Sequence, residues 1–92
     1  FFIFSDDPDW SRSNLRLSWP TTHVNHNIGA DSHWDLYLMK NCRDHIIANS
    51  SFSWWGAWLN PSVEKTVVAP ARWFQGTDTP SSDILPPEWI AR

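Results

Sequence analysis

Residues 45–59 read HIIANSSFSWWGAWL, an apolar run, a small polar turn and a second apolar segment. The run at 45–48 has no alternation of polar and apolar side chains, which is typical of a strand in a parallel sheet. In the second segment Phe52, Trp55 and Leu59 recur at helical spacing, so we predict a helix from about Phe52 to Leu59. Apolar residues surround this helix, which predicts that it is buried. The tryptophans that we therefore expect in the core are Trp54, Trp55 and Trp58.

The same order of apolar run, polar turn and helical segment occurs along most of the chain. The predicted strands are residues 1–4, 22–25, 45–48 and 66–69. The predicted helices are residues 9–15, 32–41 and 52–59. Alternation of this kind predicts the α/β class, with a parallel sheet that is flanked by helices.

The composition changes near residue 70, where Pro, Gly, Ser and Asp become frequent. Trp73 and Trp89 stand out in this segment as isolated apolar anchors, so we predict an extension that packs over the sheet. We place the boundary after residue 75, with a partial α/β domain at 1–75 and a Pro-rich C-terminal extension at 76–92.

Length, charge and cysteine content bear on the class of protein. A chain of 92 residues forms one domain at most, so a deep two-lobed active site requires further sequence. The net charge of -3 argues against nucleic acid as a partner. No apolar run approaches the roughly 20 residues of a membrane span, and we find no signal peptide. The single Cys42 fits a reducing compartment, so we expect a cytoplasmic protein, with peripheral attachment to the inner membrane as an alternative.

The polar turn after residues 45–48 is the sharpest candidate for a ligand site, because ligands of open parallel sheets bind beyond the carboxyl ends of the strands. Asn49, Ser50 and Ser51 stand there, before a helix whose N-terminal N–H groups and dipole favour phosphate. The hydroxyl of Ser53 could add a further bond. The alternative is plain N-capping, which Asn and Ser perform in any protein, and spacing alone favours capping.

Acidic residues occupy two other turns. Asp6 and Asp7 follow the strand at 1–4, where carboxylates can accept bonds from a base or a sugar hydroxyl, or can bind a metal. The alternative is that Asp7 or Asp9 caps the next helix, with Pro8 near its first turn. Asp35 stands three residues after Ser32, in the form of a capping box, and that position explains it without a ligand.

Metal, thiol and lectin-like chemistry have weaker support. The side chains that could bind zinc are His23, His26, His33, His45 and Cys42. Their spacing does not match a zinc site, which uses paired ligands at short fixed separations. A nucleophilic Cys42 assisted by His45 is equally weak, because buried free cysteine is commonly inert. Eight tryptophans would suit a carbohydrate-binding module, but several of them are already assigned to the core.

Residues 35–42 read DLYLMKNC, and residues 45–60 read HIIANSSFSWWGAWLN. Both stretches resemble the C-terminal block of the bacterial alpha-1,2-fucosyltransferases. Residues 4–10 (FSDDPDW) resemble the preceding block of the same family. The similarity covers most of residues 1–75, and the Pro-rich tail is less diagnostic.

The resemblance implies a fold and an activity. It implies a two-lobed GT-B-type glycosyltransferase whose C-terminal, Rossmann-like lobe holds GDP-fucose. Fucose would pass with inversion to the 2-hydroxyl of a galactoside acceptor, with no cofactor and no obligatory metal. The chain would then be a partial Rossmann-like sheet from the C-terminal lobe, and its partner would be the missing N-terminal part of the same protein. The apolar start at residues 1–4 agrees with a truncated sequence.

The same resemblance implies which residues bind the donor. Those near the donor phosphates or the fucose would be Asn49, Ser50, Ser51 and Ser53. Those near the guanosine would be Asp6, Asp7 and Asp35. More distant fucosyltransferases of the core alpha-1,6 type share an Asp-led helix followed by a Ser- or Thr-rich turn, which favours a ligand function for Asp35 over capping alone.

One departure from the family pattern concerns catalysis. The family signature of histidine, a variable residue, two arginines, glycine and aspartate is absent, and no two arginines are adjacent in the chain. Those arginines would neutralise the leaving pyrophosphate, so we expect no turnover from the 92 residues alone. The competing interpretation is a non-catalytic carbohydrate-binding or interaction domain on the same scaffold.

Overall fold

The fold is that of a computed structural model, which describes residues 1–25, 27, 29–74, 80 and 84–92. The elements in chain order are β1 (Phe2–Phe4), α1 (Pro8–Asn14), β2 (Thr22–Val24), a 3-10 helix (Gly29–Asp31), α2 (His33–Lys40), β3 (His45–Ile46), α3 (Ser51–Trp58), β4 (Val67–Ala69) and β5 (Ile90–Ala91). The predicted α/β class, with parallel strands and flanking helices, is confirmed. Every predicted strand and helix is present, with ends shifted by up to two residues.

The chain divides into two compact units, Phe1–Asp35 and Leu36–Arg92. Each unit contains two neighbouring parallel strands joined through a helix: β1, α1 and β2 in the first, and β3, α3 and β4 in the second. Parallel strands require such a crossover, because a tight turn cannot join them. Among the described residues, β1 and β2 form one pair and β3, β4 and β5 form a three-stranded sheet, whereas the sequence predicted one sheet. The predicted boundary after residue 75 falls outside the described residues and stays a prediction.

Strand β5 was missed by the sequence analysis. It adds to β4 in parallel, with Val68 opposite Ile90 and Ala69 opposite Ala91. The N–H of Arg92 donates to the carbonyl of Ala69 at 2.9 Å and extends the ladder. The end of the chain therefore joins the sheet as an edge strand, where an extension lying over the sheet was expected.

The core of the second unit lies between α3 and the sheet of β3, β4 and β5. Its buried residues are Ile47, Ala57, Val67, Ala69, Trp73 and Trp89. Trp73 and Trp89 expose only 8% and 7% of their surface, which confirms both as apolar anchors. Trp54 packs against the same cluster from α3.

The prediction of an entirely buried α3 is wrong. Trp55 and Trp58 each expose 48% of their surface, and Phe52 and Leu59 are exposed beside them. The periodicity is that of a helix, but its buried residues are only Gly56, which lies against Met39 of α2, and Ala57, which belongs to the core cluster. Full burial of a helix requires partners all round it, and the described residues supply them on one side.

Strand β3 shows the same one-sided burial. His45 and Ile47 are buried, whereas Ile46 exposes 80% of its surface. Successive side chains of a strand point to opposite faces, so one face of β3 packs on the core and the other is open. The uninterrupted apolar run did not distinguish this arrangement from burial on both faces.

Gly56 allows α3 to approach α2 closely. A Cβ atom at Gly56 would lie 2.8 Å from Cε and 3.0 Å from Cβ of Met39, whose side chain is buried on α2. Any larger side chain would force Met39 to move. The small residue in the WWGAW segment is thus a packing requirement.

A polar network holds the C-terminal end of α3. The ammonium of Lys65 donates to the carbonyl of Asn60 at 2.8 Å and to two carbonyls in the last turn of α3. The amide nitrogen of Asn60 donates to the carbonyl of Cys42 (2.7 Å) and to Nε2 of His45 (2.9 Å). Burial lowers the pKa of His45, the charge of Lys65 lowers it further, and Asp44 opposes both effects. His45 is therefore a neutral acceptor with a structural function.

Candidate functional site

The predicted donor-binding residues Asn49, Ser50, Ser51 and Ser53 come together at the N-terminus of α3. Because β3, β4 and β5 are parallel, this helix end lies at the carboxyl edge of their sheet. Ligands of open α/β sheets bind at that edge. The position agrees with the sequence prediction, and the functions of the four side chains differ.

Three of these side chains are engaged within the protein. Ser50 is the N-cap of α3, and its hydroxyl accepts the N–H of Ser53 at 3.4 Å. The hydroxyl of Ser53 lies 3.0 Å from the carbonyl of Ser50 and 3.2 Å from that of Ala48. The amide nitrogen of Asn49 donates to the carbonyl of Trp73 at 3.4 Å. The capping alternative is thus correct for Ser50.

Ser51 differs from its neighbours. It is exposed, and its hydroxyl has no hydrogen-bond partner among the residues that the structure describes. The N–H groups of Ser51 and Phe52 open the helix, where no preceding turn offers them a carbonyl. A hydroxyl donor and two N–H donors at the positive end of a helix dipole can together bind an anion.

A cavity of about 420 Å³ adjoins this helix end. Its lining residues are Asn49, Ser51, Trp54, Trp55, Trp73 and Ile84. Its polar lining residues, Asn49 and Ser51, stand at the start of α3, and its other lining residues are aromatic or aliphatic. Small-molecule sites commonly have this make-up and range from about 300 to 1,000 Å³.

The aromatic wall is held in place by its own contacts. The indole N–H of Trp54 donates to the carbonyl of Ile84 at 3.0 Å. The ring of Trp54 stacks on Trp58 with centroids 5.2 Å apart, and it also contacts Trp55 and Trp89. The sequence analysis missed this wall, because it assigned Trp54 and Trp55 to the core. Nothing in the sequence connects Ile84 with a turn more than thirty positions earlier.

The acidic candidates Asp6, Asp7 and Asp35 belong to the first compact unit. Asp7 is the N-cap of α1 and accepts the N–H of Trp10 at 3.1 Å, so the capping interpretation holds for it. Asp6 is exposed beside it. Asp35 accepts the side-chain amide of Asn27 at 2.8 Å.

The capping box predicted at the start of α2 does not form. Its geometry requires the hydroxyl of Ser32 to accept the N–H of Asp35. That N–H donates to the backbone carbonyl of Ser32 instead, at 3.0 Å, because the chain enters the helix through a tight turn. The carboxylate of Asp35 is consequently not needed as part of a cap.

Thiol chemistry at Cys42 has no support in the geometry. The thiol donates to the carbonyl of Leu38 at 3.5 Å, and burial raises its pKa, so the reactive thiolate is disfavoured. The ring of His45 is engaged with Asn60.

Within the described residues, no group of three or more His, Cys, Asp or Glu side chains is placed to hold a metal ion. His26 lies outside those residues. No helix of the described chain is long and apolar enough to cross a membrane.

Comparison with known proteins places the sequence among the glycosyltransferases. The sequence model described as Glycosyl transferase family 11 matches residues 1–92, and the chain therefore belongs to that family. The resemblance found in the sequence is confirmed at this level. No solved structure gives a significant match.

Two curated relatives come from Escherichia coli. The O-antigen biosynthesis glycosyltransferase WbnK is 42% identical over 89 residues, which cover 96% of this chain and 28% of that protein. An alpha-1,2-colitosyltransferase is 40% identical over 91 residues, which cover 98% of this chain and 31% of that protein. The chain thus spans less than a third of the length of either relative.

Proposed function

We propose that this chain is the donor-binding part of a fucosyltransferase that passes fucose from GDP-fucose to the 2-hydroxyl of a galactoside in glycan biosynthesis. Family membership and the two glycosyltransferase relatives support the class of reaction. In this proposal the chain is a C-terminal piece of a GT-B-type enzyme, as its resemblance to the fucosyltransferases implies, and the greater length of each relative supports a piece of a longer protein. The enzyme acts in the cytoplasm and requires no metal ion.

The observation that carries the proposal is the start of α3. The hydroxyl of Ser51 and the opening N–H groups of the helix are available to a ligand, and a cavity begins beside them. A nucleotide sugar has a diphosphate between its nucleoside and its sugar. Bound at this helix end, the diphosphate would receive hydrogen bonds from uncharged donors and a favourable dipole.

Two cations share the same edge of the sheet. Arg72 follows β4 and Arg92 follows β5, so both lie beyond the carboxyl ends of parallel strands. Positive charge near a diphosphate favours donor binding and leaving-group departure. Arg72 and Arg92 are far apart in the sequence, and the pairing of β4 with β5 brings the ends of their strands to the same edge.

The assignment of Asp6, Asp7 and Asp35 to the guanosine remains a prediction. Carboxylates can accept the N–H groups of a guanine edge, and Asp6 is exposed and able to do so. Asp7 already has a structural function as a cap, so its substitution would also affect stability.

The alternative is a non-catalytic carbohydrate-binding or interaction domain. The exposed rings of Trp55 and Trp58 favour it, since aromatic faces can stack on sugars. A domain of that kind would bind free glycans without a nucleotide. Binding of fucose or a galactoside with the same affinity in the presence and absence of GDP would favour this alternative.

We expect Ser51→Ala to lower donor affinity in the complete enzyme without unfolding it. Ser51 makes no side-chain hydrogen bond within the described residues, so its loss should change stability by about 0.5 kcal/mol or less. A hydrogen bond to a charged phosphate contributes roughly 1.5 to 3 kcal/mol, which corresponds to a loss of about 10- to 150-fold in donor affinity. Isothermal titration with GDP-fucose and a urea melt measure the two effects.

Ser50→Ala is the matched control for this experiment. Ser50 caps α3, so its removal should cost about 1 kcal/mol of stability. Donor affinity should change less than in Ser51→Ala. If Ser51→Ala retains wild-type affinity and turnover, Ser51 does not bind the donor.

A further inference from the structure

The sheet of the second compact unit has one face on the core and one open face. Ile47, Val67 and Ala69 belong to the buried cluster that also takes in Ala57 of α3. Successive side chains of a strand point to opposite faces of the sheet. The residues between these buried ones therefore belong to the other face.

This other face carries a row of three β-branched side chains. The strand register places Ile46 opposite Val68, and Val68 opposite Ile90. Residues that lie opposite each other in neighbouring strands share a face, so the three side chains form one continuous row. Ile46 exposes 80% of its surface and Ile90 exposes 38%, while Val68 between them is partly buried. We call this row the open-face row.

The composition of the open-face row is typical of a covered face. Strands that face water on one side alternate apolar and polar residues, whereas strands of parallel sheets covered on both faces are apolar throughout. Within the described bounds of β3, β4 and β5, every residue of the open-face row is apolar. Burial of these side chains against another apolar surface would stabilise the protein.

The relatives are long enough to provide such a surface. This chain covers only 28% of the O-antigen glycosyltransferase and 31% of the colitosyltransferase. In parallel sheets the covering elements are helices, which lie on both faces. Helix α3 lies on the core face, which leaves the open-face row to a helix from elsewhere in the protein.

We propose that the open-face row is an internal interface of the complete enzyme, covered by an amphipathic helix from the part of the protein outside residues 1–92. The inference rests on the proposed function only in taking the chain as a piece of a longer enzyme, and it does not depend on the donor. The apolar stripe of such a helix would pack across β3, β4 and β5 along the row.

Ile46 and Val63 form a matched pair for a test. Both are β-branched and aliphatic, and they expose 80% and 97% of their surface. Val63 lies in a turn between α3 and β4, beside Glu64 and Lys65, and connecting segments run over the surface of a protein. In the complete enzyme Ile46 should therefore be covered, whereas Val63 should remain exposed.

The first measurement is maleimide labelling of Ile46→Cys and Val63→Cys in the complete enzyme. The thiol of Ile46→Cys should react at least about 100-fold more slowly than that of Val63→Cys, because labelling of a covered site requires local opening. In denaturant the two thiols should react at the same rate. Tryptic cleavage after Arg43 separates position 46 from the native Cys42, so mass spectrometry assigns the label.

The second measurement identifies what covers the row and does not depend on labelling. An aliphatic diazirine amino acid at position 46 of the complete enzyme should form cross-links within one molecule to residues outside these 92. Mass spectrometry locates the linked peptides. The same substitution at position 63 should give mainly the product of reaction with water.

Three results would contradict the inference. Equal labelling rates in the native enzyme, with the diazirine lost to water at both positions, would mean that the face is open. Cross-links between two molecules would mean that a second copy covers it. Cross-links confined to these 92 residues would mean that the chain covers the face itself. Turnover of GDP-fucose is measured separately, so each of these results leaves the proposed donor untouched.

Discussion

Incubated with GDP-fucose and a lactose-type acceptor, the 92-residue chain should release no fucosylated product, while the complete enzyme should. Departure of the diphosphate builds negative charge, which positioned cations usually stabilise. The paired arginines of the family signature are absent from the chain. One donor-binding piece also cannot hold an acceptor in line with the donor or exclude water from the reaction. Mass spectrometry of the acceptor measures the outcome.

The positive control is the same assay with the complete enzyme. A separate titration measures whether the 92-residue chain binds GDP. Binding without turnover would agree with a donor-binding piece. Steady production of fucosylated acceptor by the 92 residues would mean that the catalytic groups lie within them, and Arg72 and Arg92 would be the first to substitute.

Trp89→Ala should remove most of the stability of the second compact unit. Trp89 is 7% exposed, contacts the ring of Trp54 and immediately precedes β5. Truncation of a buried tryptophan costs about 3 to 5 kcal/mol. The free energy of unfolding of domains of this size is only about 5 to 15 kcal/mol. The midpoint of thermal unfolding should therefore fall by roughly 12 °C or more. Circular dichroism during heating measures it.

Trp58→Ala provides the comparison. The sequence analysis would place Trp58 in the core, but half of its surface is exposed, so it loses less apolar burial on truncation. Trp58→Ala should therefore lower the free energy of unfolding clearly less than Trp89→Ala does. Equal destabilisation by the two substitutions would contradict the burial described for α3.

Local patterns predicted the elements well. The apolar runs at 45–48 and 66–69, and the helical spacing of residues 52–59, all correspond to observed strands and helices. Such patterns depend on neighbours along the chain, which the sequence contains. Strand β5 has two residues and follows a Pro-rich segment, so it has no periodicity and is recognisable only through its pairing with β4.

Burial and the cavity were harder to predict. The spacing of Phe52, Trp55 and Leu59 indicates a helix but does not say how much of that helix the sheet covers. The turn at the start of α3 was found because its polar residues follow a strand directly. The wall opposite it combines α3 with Trp73 and Ile84, which come from later in the chain, and only the fold brings them together. The sequence does not distinguish Ser50 from Ser51. In the structure Ser50 caps α3, whereas the hydroxyl of Ser51 has no partner among the described residues.

The most direct test of donor binding by this chain is an NMR titration of the isotopically labelled protein with GDP, UDP and ADP. We predict that GDP binds best and that its largest chemical-shift changes fall at residues 49–53, with smaller changes at residues 5–9 and 31–35. In the proposed function the start of α3 would donate to the phosphates, and the acidic turns would accept the N–H groups of guanine. Equal responses to the three nucleotides, or changes that lie away from these residues, would contradict the assignment of this chain to GDP-sugar binding.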